Sequence, residues 1–197
     1  MKTPYENSYK LACDEFSELN LEDVAFNSSA RMEGDAIYID FLSETFIVKD
    51  GGKEITTSSG REVKINEKIL LLHYLITADG APLQREEITL ENIPGASFYY
   101  PTYKARTIDL IINKFALASS GFIASAKNMG FNPVKEGELN RLRSLVLPNV
   151  LISFVFWSED LSNLKILYDK NITHYLPLED IIILTELVSH RIIKSVI

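Results

Sequence analysis

The sequence predicts an α+β fold, a single domain over residues 1–197 in which helices pack on a mixed or antiparallel sheet. Three observations predict this class. Short segments rich in β-branched and aromatic residues alternate with turn signals over residues 36–65. Residues 150–157 form an apolar run, interrupted only by Ser153, that is typical of a central strand. Several other segments, including a long one that begins at Leu178, carry apolar residues at helical spacing.

Residues 1–30 are predicted to be a helical N-terminal segment. Residues 4–19 place apolar side chains at helical spacing, and Asn20 is a suitable N-cap for a second, short helix. Cys13, the only cysteine, lies on the apolar stripe of the first helix. It is therefore interpreted as a small buried hydrophobic residue rather than a reactive thiol.

A small antiparallel meander is predicted next. Residues 36–41 and 45–49 read as a hairpin, and a glycine-rich turn over residues 50–53 leads to a shorter strand at residues 54–57. Residues 62–65 are a candidate for the last strand.

Two apolar helices are predicted in the middle of the chain, over residues 67–78 and 107–118. Asn66 is the expected N-cap of the first, which is apolar around much of its circumference and should be buried on most sides. His73 on this helix is interpreted as a satisfied histidine of the core or its boundary. Residues 132–137 are interpreted as a surface loop.

The apolar run over residues 150–157 is expected to be a central strand that is covered on both faces. The last helix is predicted over residues 178–195. Acidic residues lie in its first turn and basic residues in its last turns, which matches the helix dipole at both ends.

An aromatic segment over residues 97–103 contains Tyr99, Tyr100 and Tyr103. Two interpretations stay open: a ligand- or partner-binding surface, or a segment at the edge of the core whose hydroxyls reach water. Under the first interpretation, Tyr99→Ala and Tyr103→Ala should weaken partner binding and leave the fold intact.

A second group of polar and aromatic residues follows the central strand. A carboxylate beside a histidine can fix the histidine tautomer, and the two together can bind a cation. The same residues are also ordinary in turns and helix caps. The group comprises Trp157, Glu159 and Asp160 at the strand exit, and Asp169, His174 and Tyr175 in the following connection.

Composition and charge exclude several classes. A chain that is 46% hydrophobic and 24% charged is not disordered, and its net charge of −7 argues against nucleic acid or an anionic membrane as partner. One cysteine cannot hold an iron–sulfur cluster, and no cofactor or metal motif is present. Without a membrane-length apolar run or a secretory signal, a cytoplasmic protein is expected.

Six short motifs occur in order along the chain. They resemble an uncharacterised domain-of-unknown-function family of anaerobic bacteria and archaea, over roughly residues 37–193. The motifs are Leu70–Leu71–Leu72–His73–Tyr74–Leu75, Asp79–Gly80, Leu147–Pro148–Asn149–Val150, Phe156–Trp157–Ser158–Glu159–Asp160, Leu167–Tyr168–Asp169 and Tyr175–Leu176–Pro177–Leu178–Glu179–Asp180.

The resemblance implies a context rather than an activity. Members of the family are sometimes associated with a small four-cysteine iron–sulfur domain that also occurs in corrinoid iron–sulfur proteins. The chain departs from the family at residues 161–163, where an acidic residue and a phenylalanine are usual, and at residues 119–121, where a glycine pair is usual.

Two functions are therefore expected as alternatives. The first is a non-enzymatic binding or accessory module of anaerobic metabolism that recognises a protein partner or a small ligand, with homo-oligomerisation favoured by its apolar helices. The second is an enzyme of unrecognised type that uses Asp160, Asp169 and His174 as acid/base groups or metal ligands.

Overall fold

The structure, a computed structural model, describes residues 4–116, 119–158 and 160–195. It confirms the α+β class, but its strands form two antiparallel sheets rather than one. The helices are α1 (Pro4–Phe16), α2 (Leu21–Ser28), α3 (Ile65–Thr77), α4 (Tyr100–Arg106), α5 (Ile108–Phe115), α6 (Ser119–Asn128) and α7 (Leu178–Lys194). The strands are β1 (Arg31–Glu33), β2 (Ala36–Phe41), β3 (Glu44–Lys49), β4 (Glu54–Thr57), β5 (Glu87–Ile88), β6 (Asn132–Glu136), β7 (Leu139–Leu147), β8 (Val150–Trp157) and β9 (Asp160–Asp169).

The four main predicted helices are confirmed as α1, α3, α5 and α7, with ends that differ by a few residues. Residues 117–118 of the predicted third helix lie outside the described residues. Asn20 caps α2 as expected, since its Oδ1 accepts hydrogen bonds from the amides of Glu22 at 2.8 Å and Asp23 at 3.1 Å. Cys13 is buried, as its place on the apolar stripe predicted.

The first sheet is the predicted meander, with strand order β1-β2-β3-β4. The glycine-rich turn between β3 and β4 packs against α3. Gly52 has a φ of 83°, and a Cβ there would lie 2.7 Å from Cδ2 of Leu72. Only glycine fits this turn, because a side chain would be strained and would clash with the core.

Residues 62–65 do not form the candidate strand. Helix α3 begins at Ile65, with Lys64 rather than Asn66 at the N-cap. The carboxylate of Glu67 accepts a hydrogen bond from the Lys64 amide at 3.0 Å and another from the Arg61 side chain at 2.9 Å. These bonds draw the segment toward the helix start, so it does not pair with β4.

The second sheet has the order β5-β9-β8-β7-β6, which confirms the apolar run as its central strand. The predicted surface loop at residues 132–137 is instead mostly strand β6, which pairs with β7 across a turn containing Gly137 at a φ of 65°. All five residues of β6 are exposed, including Pro133. Without a buried face, this edge strand has no apolar alternation by which the sequence could reveal it.

Helices cover one face of the second sheet. The ring of Phe122 on α6 lies 5.5 Å from that of Phe154 and 5.9 Å from that of Phe156, both on β8. The hydroxyl of Tyr168 on β9 lies 2.8 Å from that of Thr185 on α7. On the opposite face Leu151, Ser153 and Val155 are buried too, which agrees with the expected central strand, but several residues around them are exposed.

The two sheets meet at the end of β7. The Leu42 amide donates to the carbonyl of Val146 at 2.9 Å, and the Tyr74 hydroxyl on α3 reaches the carbonyls of Ser28 and Pro148 at 2.5 and 2.9 Å. One hydrophobic core therefore runs through both sheets.

None of the described helices is by itself long and apolar enough to cross a membrane. Residues 100–115 and 119–128 meet that test only when the two bent arms are taken together.

Candidate functional site

The uncovered face of the second sheet follows from strand alternation. Since Phe154 and Phe156 point toward α6, Val155 and Trp157 lie on the other side of β8. Cross-strand pairing places the neighbours of these residues on the same side. We call this surface the open sheet face; its main residues are Val134, Arg141, Arg143, Leu145, Leu151, Ser153, Val155, Trp157, Lys165 and Leu167.

Large apolar side chains on this face are exposed. Trp157 is 53% exposed, Leu145 50% and Val134 40%. They surround Leu151 and Val155, which are each 8% exposed and lie at the buried centre of the face. An apolar surface of this kind with polar residues at its rim is typical of a protein-binding site.

An ion-paired group crosses the sheet between β5 and β7. The carboxylate of Glu87 accepts hydrogen bonds from Arg141 and, at 3.2 Å, from the hydroxyl of Ser153. Arg141 also lies 3.7 Å from Glu136 on β6. The group therefore carries two negative formal charges and one positive charge, and its hydrogen bonds make it a rigid polar part of the face.

Three further cations stand at the face without such partners. Within the described part of the chain, the side chains of Arg85, Arg143 and Lys165 make no ion pair, and all three are exposed. Arg143 stands opposite Ser153, and Lys165 stands opposite Val155. The open sheet face therefore presents cations that lack ion-pair partners, beside carboxylates such as Glu136 and Glu138, on a protein whose net charge is −7.

Asp169, one of the predicted site residues, fixes the loop at one end of the face. Its buried carboxylate accepts hydrogen bonds from the amides of Gln84 at 2.9 Å, Arg85 at 2.7 Å and Asn171 at 3.1 Å. This arrangement holds Arg85 at a φ of 59° beside a concavity of about 580 Å³, which Arg141 and Arg143 also line. Asp169 is a positioning residue here, because both of its oxygens are occupied by backbone amides.

Trp157 and Asp160 lie at the opposite end of the face. The Trp157 indole N–H donates to Glu138 at 2.9 Å, and its amide donates to the side chain of Asn163 at 2.7 Å. Hydrogen bonds from the Ser162 hydroxyl and amide lower the pKa of Asp160, which is fully exposed. The predicted residue Glu159 lies outside the described residues.

The predicted Asp160–Asp169–His174 group does not converge. Asp160 and Asp169 are the first and last of the ten residues of β9, so they lie roughly 30 Å apart at full strand extension. His174 donates instead to Asp79 at 2.7 Å, and this hydrogen bond lowers the pKa of Asp79. The spacing along the chain could not show this separation, because it did not reveal that one strand lies between the two carboxylates.

Tyr175 is buried beside the helices rather than exposed at a site. Its ring stacks on that of Tyr74 at 5.9 Å, and its hydroxyl donates to the carbonyl of Ala81 at 2.7 Å. Burial raises the pKa of Tyr175. This residue anchors the segment after α3 to the core.

The aromatic segment is divided between core and surface. Tyr99 is 40% exposed and lies edge-on to the exposed Phe98 at 5.6 Å. Tyr100 is half-buried at 6.0 Å from the ring of Tyr103. Tyr103 is 2% exposed, so it belongs to the core and is not available to a partner.

The important surface residues that the sequence reasoning missed are Arg85, Arg143 and Lys165. The only signal for Arg143 and Lys165 was their place as polar residues in an alternating pattern on the two strands beside the central strand, and Arg85 lies in a loop that carries no such pattern. Because β7 was not predicted as a strand, this alternation could not be assigned to a face. No group of three or more metal-ligating side chains is found among residues 4–116, 119–158 and 160–195.

Comparison with known proteins identifies a family for this chain. The family model described as a domain of unknown function (DUF3786) matches residues 20–191. The match spans most of the chain, so the protein belongs to this family, and the resemblance found in the six motifs is confirmed at that level. No curated protein and no solved structure matches the chain.

Proposed function

We propose that the protein is a non-enzymatic binding module whose open sheet face takes an acidic, partly apolar segment of a partner protein. The observation that carries the proposal is the juxtaposition of exposed Trp157 and Leu145 with the unpaired cations Arg143 and Lys165 on one sheet face. The proposal keeps the partner expected from the sequence and moves its binding surface away from Tyr103.

Apolar contact would supply the affinity. Tryptophan and arginine are enriched among the residues that dominate binding energies at interfaces. An apolar side chain of the partner would pack on Leu151 and Val155 at the buried centre of the face. Burial of Trp157 and Leu145, each about half exposed, would remove further apolar area from water.

Electrostatic attraction would determine the specificity for the partner. The cations of the face are local exceptions on a chain with 27 acidic and 20 basic residues, so their field attracts an acidic segment and speeds its approach. A second copy of the chain fits less well, because a symmetric pair of these faces would bring like charges together.

The face suits docking better than the sheet edges do. The outer edge strand β6 carries Pro133 and Lys135, which are residues that protect an edge from pairing with another strand. At the other edge, β5 has only two residues. A partner would therefore lie across the side chains of the face rather than extend the sheet.

The cellular setting is proposed from the family resemblance alone. An accessory protein in the cytoplasm of an anaerobe, near corrinoid or iron–sulfur metabolism, would bring its cofactor chemistry from a partner. The residues of the open sheet face themselves contribute binding groups and no reacting group.

Trp157 is the only tryptophan, so its fluorescence reports directly on the face. The probe is a synthetic peptide of alternating Glu and Leu, compared with its Lys and Leu counterpart. We expect saturable quenching and a blue shift with the acidic peptide, weakened about tenfold in the Arg143→Ala, Lys165→Ala double variant.

The matched control is the Lys64→Ala, Lys194→Ala double variant, which removes the same number of positive charges outside the open sheet face. It should bind the acidic peptide like the wild type. No Trp157 response to the acidic peptide, an equal response to both peptides, or equal weakening in both double variants would refute the proposal.

A further inference from the structure

A cleft of about 390 Å³ lies between the start of α3 and the last turns of α7. It is lined by residues of these helices and of the segment before α3, none of which belongs to the open sheet face. Its charged lining residues are Arg61, Lys64, Glu67, Glu186, Arg191 and Lys194.

Arg61, Glu67 and Arg191 form the floor of the cleft, and Glu44 on β3 pairs with the two arginines from outside the lining. Arg61 donates to Glu44 at 2.8 Å and to Glu67 at 2.9 Å, and Arg191 donates to Glu67 at 2.6 Å. The Arg191 guanidinium also lies 4.4 Å from the centre of the Phe41 ring. These contacts fix the position of both guanidiniums, so the floor is preorganised.

The charges of the floor balance each other. Burial favours the neutral acids, but hydrogen bonds from Arg61 outweigh it and hold the pKa values of Glu44 and Glu67 below their ordinary range. Both carboxylates therefore stay ionised at neutral pH, and each guanidinium has a permanent counter-charge.

Positive charge is in excess at the mouth of the cleft. Glu186, the remaining carboxylate that lines the cleft, pairs with Arg106 at 3.5 Å, so its negative charge already has a partner. Within the ranges that the structure describes, the ammonium groups of Lys64 and Lys194 have no ion-pair partner. Two cations without ion-pair partners thus line the cleft, one at the start of α3 and one at the end of α7.

His190 adds a polar group that faces the same space. Its Nδ1 donates to the carbonyl oxygen of Glu186 at 2.8 Å, so the proton of the neutral ring resides on Nδ1. Nε2 has no hydrogen-bond partner among the described residues and can meet a ligand group.

Two amides at the start of α3 already have side-chain acceptors. The amide of Lys64 donates to Glu67 at 3.0 Å, and the amide of Glu67 donates to Asn66 at 3.0 Å. Neither of these two amides is therefore free to bind a ligand in the cleft.

We infer that this cleft is a binding site for a small organic dianion, held between Lys64 and Lys194 above the arginine floor. Two separated cations favour a ligand with two negative charges over a monoanion. The cleft volume lies at the low end for ligand pockets, which restricts the ligand to a few heavy atoms beyond its charged groups. A dicarboxylate and a phosphate monoester share this chemistry.

Isothermal titration calorimetry of the intact chain with succinate and with methyl phosphate tests the inference, with acetate as the monoanion. We expect saturable binding of at least one dianion, and the tighter one identifies the source of the charge. The Lys64→Ala, Lys194→Ala double variant should bind it about tenfold more weakly or worse.

The matched control is the Arg143→Ala, Lys165→Ala double variant, which removes two cations from the open sheet face and should leave dianion affinity unchanged. The inference fails if neither dianion binds saturably, if acetate binds as tightly as succinate, or if both double variants weaken binding equally. The double variant that tests one site is the control for the other site, so failure of one proposal leaves the test of the other proposal intact.

Discussion

The hydroxyl of Tyr103 begins a buried chain of hydrogen bonds. Thr185 uses its one hydroxyl proton on the carbonyl of Ile181 at 2.8 Å, so it accepts from Tyr168 at 2.8 Å, and Tyr168 in turn accepts from Tyr103 at 2.7 Å. Burial raises the pKa of Tyr168 to about 12, so its hydroxyl stays protonated at neutral pH and this chain of hydrogen bonds carries no charge. These residues tie α4, β9 and α7 together inside the core.

Replacement of Tyr103 should therefore affect the fold. We expect Tyr103→Ala to lower the free energy of unfolding by about 3–5 kcal/mol, through the cavity it leaves and the loss of its hydrogen bond. Tyr99→Ala, at an exposed ring, should change it by less than about 0.5 kcal/mol. Urea denaturation measures both, and a Tyr103→Ala protein as stable as the wild type would contradict this placement.

The sequence could not separate these two tyrosines. The many aromatic residues over positions 97–103 indicate buried area, but they do not show which side chains face the core. Helix α4 begins only at Tyr100, so Tyr99 lies outside it. The exposure of Trp157 could not be predicted from the sequence either. Its exposure depends on strand alternation and on the absence of a helix above that face, which only the assembled sheet reveals.

At the scale of elements, α3 and α7 are joined at both ends. His73 on α3 donates to Asp180 in the first turn of α7 at 2.7 Å, whereas Glu67 at the start of α3 accepts from Arg191 in the last turn of α7. The helices therefore run antiparallel. The sequence predicted both helices, but it could not predict pairs of residues that lie more than a hundred positions apart.

The His73–Asp180 pair predicts a pH dependence of stability. The hydrogen bond to Asp180 raises the pKa of His73 above its ordinary 6.5, against the opposing effect of burial. A raised pKa stabilises the fold fully below the unfolded pKa, and this contribution is lost as the pH rises through the folded pKa.

Urea unfolding of wild type and His73→Gln at pH about 5.5 and about 8.5 tests this dependence. We expect the stability gap between the two proteins to be larger at the lower pH. His174→Gln is the control, because its pair with Asp79 is exposed on both sides and screened by solvent. A gap that is equal at both pH values would rule out the contribution of the pair.

The arginine–glutamate floor predicts a larger effect at the other end of the helices. Glu67→Ala removes a buried carboxylate from two guanidiniums and should cost about 1.5–3 kcal/mol in unfolding free energy, since Arg61 and Arg191 lose these hydrogen bonds and keep only Glu44. Glu86→Ala, which breaks an exposed pair with Lys170, should cost less than about 1 kcal/mol. Equal losses in the two variants, measured by urea denaturation, would show that the floor contributes no more than a surface pair.

At the scale of the whole molecule, the sequence predicted the class and the principal helices because those segments carry strong periodic patterns. The meander and the central strand β8 were predicted for the same reason. The division into two sheets and the edge strand β6 were not, since they depend on contacts between distant segments. The open sheet face is a product of this arrangement, because helices pack on one side of β8 alone.

In the proposed function, positive charge on the open sheet face selects an acidic partner segment. Reversal of two of these charges tests the selection. An Arg143→Glu, Lys165→Glu variant is titrated with the Glu–Leu and Lys–Leu peptides while Trp157 fluorescence is recorded, beside the wild type. We expect the preferred peptide to change from the acidic one to the basic one; an unchanged preference would show that these two charges do not select the partner.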